Sequence, residues 1–102
     1  MSNHMDTDDV VACLNDLPRM FGAAHVSRFR CYREAADGRA QRVVVEIYDE
    51  GRMVGAPDDD GQHVAVRRYS CVARSDDGKV ASGNPAGNVR TALSTLRWQD
   101  LD

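Results

Sequence analysis

Through the middle of this chain apolar and polar positions alternate with a period of two. Over residues 25–35, Phe29 and Cys31 share one parity while Arg28, Arg30 and Tyr32 share the other. Over residues 39–48, Val43, Val45 and Ile47 alternate with Val44, Glu46 and Tyr48. Residues two apart lie on one face of a strand, so both stretches read as strands with an apolar side. The pattern returns at 63–75, where Tyr69, Cys71 and Ala73 alternate with Arg68, Ser70, Val72 and Arg74, and briefly at Val80-Ala81-Ser82.

One turn signature punctuates these stretches. It occurs as Ala36-Asp37-Gly38-Arg39, Asp49-Glu50-Gly51-Arg52, Asp59-Asp60-Gly61-Gln62 and Asp76-Asp77-Gly78-Lys79. Two αR residues followed by one αL residue reverse a strand through a type I turn closed by a bulge, and glycine alone enters αL without steric cost. The first turn would pair Ala35 with Arg39, which sets Phe29 across from Val45, Cys31 across from Val43 and Arg28 across from Glu46. The last would pair Ala73 with Ala81. Residues 52–61 fit less well. Met53 and Val54 suit a short edge strand, but Gly55 and Pro57 interrupt it before the Asp58-Asp59-Asp60 run, and Met53–Gln62 is expected to be the most mobile internal segment.

A helix is expected on each side of the strands. Asp6 or Thr7 can cap the first, whose apolar positions Val10, Cys13, Leu14 and Leu17 follow helical spacing, with Asp8 and Asp9 favoured by the dipole in its first turn. Pro18 ends it at Leu17. The last helix starts at Asn84-Pro85 or one turn later at Asn88, with Val89, Ala92, Leu93 and Leu96 as its stripe and Trp98 or Leu101 joining at the fraying end. The fold class is therefore α+β. It is an antiparallel meander of three to five strands with an N-terminal and a C-terminal helix packed on one face, in the order α-β-β-β-(β)-α. Residues 5–102 form a single domain, and residues 1–4 read as a tag remnant or a disordered N-terminus. Val43, Val45, Ile47, Phe29, Tyr69, Leu93 and Leu96 are the expected core.

Composition narrows the function only by exclusion. At 102 residues, the chain can bury one core but not a core and a deep substrate cleft. A formal charge of −3 removes the global electrostatic drive towards nucleic acid. No long apolar run marks a membrane span, and the acidic start lacks the features of a secretory signal. Cys13, Cys31 and Cys71 are an odd, widely spaced set, which fits reduced thiols in the cytoplasm, with Cys31 and Cys71 as small buried hydrophobes. Lys79 is the sole lysine among many arginines, a bias that matches coding pressure in an actinobacterial or phage genome.

No nucleophile elbow, P-loop or dinucleotide fingerprint is present, so no catalytic residue and no cofactor is expected. The Asp58-Asp59-Asp60-Gly61 run lacks the ligands an EF-hand requires at Ala56 and Arg67. His25 and Cys31 lie too far apart along one strand to share a metal, and no metal site is expected. The remaining feature is the sheet face opposite the helices, where Arg28, Arg30, Tyr32, Glu46, Tyr48, Arg68 and Arg74 collect. Arginine and tyrosine together recur in protein-protein contacts and on sheets that stack single-stranded bases; they also occur on faces that are merely solvated. The expected function is a small non-catalytic interaction module, acting through this face or an edge strand, with a protein partner or a second copy of itself.

The order helix, strands, helix resembles the double-stranded RNA-binding domain over most of the chain. That resemblance implies nucleic-acid binding as the alternative function. The family's lysine-rich start of the second helix corresponds here to Asn84-Pro85-Ala86-Gly87-Asn88-Val89-Arg90, which carries one cation. Gly78 to Leu96, a glycine-punctuated hairpin running into an alanine-leucine helix, is also similar to the end of HicB-type antitoxins. The turn assignment is directly testable: Gly78→Ala should destabilise the chain by about 1 kcal/mol or more in chemical denaturation, because αL is strained for a residue with a Cβ.

Overall fold

Asp37-Gly38 and Asp77-Gly78 each close a tight hairpin, and the strands they join build one antiparallel sheet. The computed structural model describes residues 6–57 and 60–102, with the backbone alone described at 52–57 and 63–65. The elements are α1 (Thr7–Asp16), β1 (His25–Glu34), β2 (Ala40–Pro57), β3 (His63–Ser75), β4 (Val80–Ser82) and α2 (Val89–Ser94), followed by a single 3-10 turn, Trp98–Leu101. The strand order is β1-β2-β3-β4. This is the α+β meander expected from the sequence, with four strands.

The register follows the turns. Gly38 and Gly78 take φ of 83° and 86°. The Gly38 N–H donates to the Ala35 carbonyl, and the Ala35 N–H to the Arg39 carbonyl. Phe29 then faces Val45, Cys31 faces Val43 and Arg28 faces Glu46, and Ala73 faces Ala81, as the pattern requires. The signature at Asp49–Arg52 behaves differently. It does not reverse the chain but forms a bulge within β2, where the Asp49 carboxylate accepts the Gly51 N–H at 2.9 Å. An acid-glycine pair bends a strand whose partner continues alongside, and β3 does continue. The expected excursion over Met53–Gln62 is corrected accordingly. Backbone 53–57 belongs to β2, pairing Met53 with Val66 and Pro57 with His63, and a second irregularity between Val54 and Pro57 absorbs the strand breakers. Asp58 and Asp59 lie outside the described residues, as do residues 1–5.

The core sits between the sheet and the C-terminal segment. Val43, Val45, Cys71, Ala73 and Ala81 meet Ala92, Leu96 and Leu101, with Ile47, Tyr69, Leu93 and Trp98 half-buried around them. Leu101 was expected at a fraying helix end but is wholly buried in the 3-10 turn. Asn88 is the cap of α2, accepting the Thr91 N–H at 2.8 Å.

Two expectations about the core fail for one reason. Phe29 is 55% exposed and Cys31 is exposed, although both share the helix-side face. α2 has six residues and packs on β3, so β1 has no helix above its middle.

The first helix departs in a related way. Asp6 caps α1 by accepting the Asp9 N–H, and the helix ends at Asp16 because Leu17 is extended before Pro18. Yet Val10, Leu14 and Leu17 are exposed and Val11 is buried. The rotation of α1 brings Asp8 to Arg67 and Val11 to Gly51. Arg67 donates from both terminal nitrogens to Asp8 at 2.8 Å, and one of them also reaches Asp49 at 2.7 Å. These acids hold Arg67 even more firmly protonated than usual, Asp8 contributing most. Asp49 and Arg67 continue the parity of Ile47 and Tyr69, so α1 docks on the same face as α2, at its far end.

A polar network ties the C-terminus to both hairpin turns. Gln41, with no exposed surface, donates to the Leu101 carbonyl at 2.7 Å and accepts from Arg33 at 2.9 Å. Asp102 meets Arg33 at 2.7 Å and accepts the Ala36 N–H at 3.0 Å. Asp77 accepts from the Ser75 hydroxyl and from Arg39.

Two expected outcomes follow from this packing. Leu101→Ala should cost about 2–5 kcal/mol in urea denaturation, the range for emptying a fully buried leucine site. The second concerns acid. The Ser75 hydroxyl, then Arg39 and Lys79, hold the Asp77 carboxyl down to about 2, and Arg33 and the Ala36 N–H lower that of Asp102. Both lie below the unfolded value of about 3.9, so their ionisation favours the folded state above that value, and this contribution is lost as pH falls from about 4 towards 2. Asp77→Asn should reduce the loss of stability over that window when denaturation curves are compared at its two ends.

Candidate functional site

The even-numbered positions of β1, β2 and β3 bring the arginines and tyrosines to the face without helices, as expected. Glu46 lies at the centre and is 9% exposed. Arg28 approaches one of its oxygens from β1 at 3.6 Å, and the Arg74 Nε donates to the other from β3 at 3.0 Å. Glu46, with a smaller contribution from Tyr48, raises the affinity of Arg74 for its proton. Arg68 lies beyond this trio, with its Nε 2.9 Å from Glu50, and this pair lines a hollow with Asn15 at the end of α1 and with Met20 and Phe21 after it. Three of the arginines are thus partnered by carboxylates within the face.

Arg30 and Tyr32 are left projecting from β1, with Tyr32 65% exposed. Arg42 pairs across from Tyr32 on β2 and extends the same patch. It was not singled out in the sequence, although its even parity with Glu46 and Tyr48 was available to find it.

The two edges of the sheet differ. Beyond β4, the Ser82 carbonyl accepts the Arg97 N–H at 3.3 Å, and the Asn84 N–H donates to the Thr95 hydroxyl at 2.8 Å. Tyr69 exchanges both backbone hydrogen bonds with Ala86, which extends the cover along β3. The segment around α2 therefore covers this side from Ser82 onward, while Val80 at the start of β4 is exposed.

On the other side lies β1. Bonding alternates along an antiparallel pair, and the Ala35–Arg39 bond fixes the odd-numbered residues of β1 as those bonded to β2. Val26, Arg28, Arg30, Tyr32 and Glu34 consequently turn their N–H and C=O groups outward. Their side chains are exposed, and β1 contains no proline and no bulge; its guard is charge, in Arg28, Arg30, Arg33 and Glu34.

The helix-side face adds an apolar hollow of about 400 Å³, lined by Phe29, Val45, Ile47, Leu93 and Trp98. It opens where α2 stops short of β1. Its existence depends on helix length and could not be read from residue parity. Among the described residues, no group of three or more histidine, cysteine or acidic side chains is arranged to hold a metal ion, and no helix is long and apolar enough to cross a membrane. Comparison with family models, curated proteins and solved structures returns no match to this chain.

Proposed function

We propose that this chain is a small, cytoplasmic, non-catalytic interaction module that accepts an extended protein segment as an added strand along β1. The observation that carries this reading is the inequality of the two edges. β4 is three residues long and is capped at Ser82 by the chain's own C-terminal segment, whereas β1 offers a continuous row of outward backbone donors and acceptors. Strand addition draws affinity from such a row and specificity from the side chains flanking it, here Arg28, Arg30 and Tyr32. The ion pairs within the face favour a protein over a nucleic acid. Arg28 and Arg74 share Glu46 and Arg68 is held by Glu50, so a phosphate backbone would have to compete with carboxylates already in place.

A proline scan along the edge tests this directly. Arg30→Pro removes an outward N–H and leaves the bonds to β2 intact, because proline is tolerated on an edge whose N–H faces solvent. Extended peptides selected from a displayed library should lose at least tenfold in affinity with Arg30→Pro and little with Arg68→Glu. Equal binding by Arg30→Pro would refute strand addition. Binding of duplex RNA that weakens about 10- to 150-fold between 50 and 200 mM salt would point to phosphate contacts instead.

A further inference from the structure

Resting on the strand-addition reading, we infer that the segment added to β1 is β1 of a second copy, paired antiparallel about a two-fold axis at Cys31. The backbone limits the choices. The even-numbered residues bear the outward N–H and C=O groups, so even must pair with even across the junction.

Charge then selects among the registers. An axis at Phe29 sets Arg28 against Arg30 of the other copy, twice. An axis at Arg30 sets that arginine against itself. Like charges directly opposite one another are destabilising. An axis at Cys31 instead opposes Arg28 to Glu34 and Arg30 to Tyr32 on one face, and Arg33 to Phe29 on the other. Each arginine of β1 then meets an acid or an aromatic ring, and residues 28–34 are paired. An axis at Tyr32 also avoids like charges but pairs only residues 30–34.

The exposed side chains point the same way. Phe29 and Tyr32, the large exposed side chains at the centre of β1, lie within the paired segment.

The axis makes the register measurable. Residues on a non-hydrogen-bonded antiparallel pair have Cα atoms about 4.5 Å apart, within the range a disulfide spans. Cys31 would face its own copy at that distance. Cys13 is exposed and Cys71 is buried, with its thiol pushed up by burial, so Cys13→Ser leaves Cys31 as the one exposed thiol among the described residues. Under mild oxidation with diamide, Cys13→Ser should form a covalent dimer at least tenfold faster than Cys13→Ser/Cys31→Ser. Glu34→Arg should weaken the non-covalent dimer at least tenfold in sedimentation equilibrium, with the circular dichroism spectrum unchanged.

Faster cross-linking by Phe29→Cys in the Cys13→Ser/Cys31→Ser background would overturn the register. A monomer at millimolar concentration, with no cross-linking through Cys31, would overturn the second copy as occupant. In that case, peptide binding lost with Arg30→Pro would leave strand addition standing, and peptide binding retained with Arg30→Pro would remove it as well.

Discussion

Gln41 is buried between the sheet and the closing 3-10 turn, where an amide without partners would cost about 1–3 kcal/mol. It meets the Leu101 carbonyl and the Arg33 guanidinium, and both contacts cross from β2 to other parts of the chain. The same turn places Leu101 in the core and Asp102 beside the first hairpin. A buried polar group of this kind selects one arrangement of the C-terminus over others that hydrophobic contact alone would permit. The helix-side core is small, and this specificity compensates for its size.

The strands were legible because their signals are local. Period-two alternation and the acid-glycine turns fix which residues share a face and which stand opposite, and the pairs Phe29–Val45, Arg28–Glu46 and Ala73–Ala81 follow from them. The same signature misled at Asp49–Arg52, since an αL glycine makes a hairpin turn or a bulge depending on whether the neighbouring strand continues. That decision belongs to β3, which lies elsewhere in the sequence. Helix docking was less legible. The apolar stripe of α1 predicted its buried face, but Val11 is buried in its place, on the side where Arg67 grips Asp8.

The candidate surface was readable in part. Parity alone placed Arg28, Arg30, Tyr32, Glu46, Tyr48, Arg68 and Arg74 on one side of the sheet. What parity could not give was the state of those charges. Glu46 and Glu50 take up Arg28, Arg74 and Arg68, so three of the cations that sequence leaves free are engaged in structure, while Arg30 and Arg42 keep the face positive. The coverage of the edges was also hidden, because it depends on a six-residue helix and on where the chain passes after it. Exposure of Phe29 and Cys31 has the same origin.

The covered β4 edge has a consequence for growth. A sheet that adds strands without limit needs a free edge on both sides of every unit. Here the C-terminal segment occupies one of them through the Arg97–Ser82 and Thr95–Asn84 bonds. A strand added to β1 would therefore meet a short, partly capped strand on the far side of this chain, which gives further strands little to pair with.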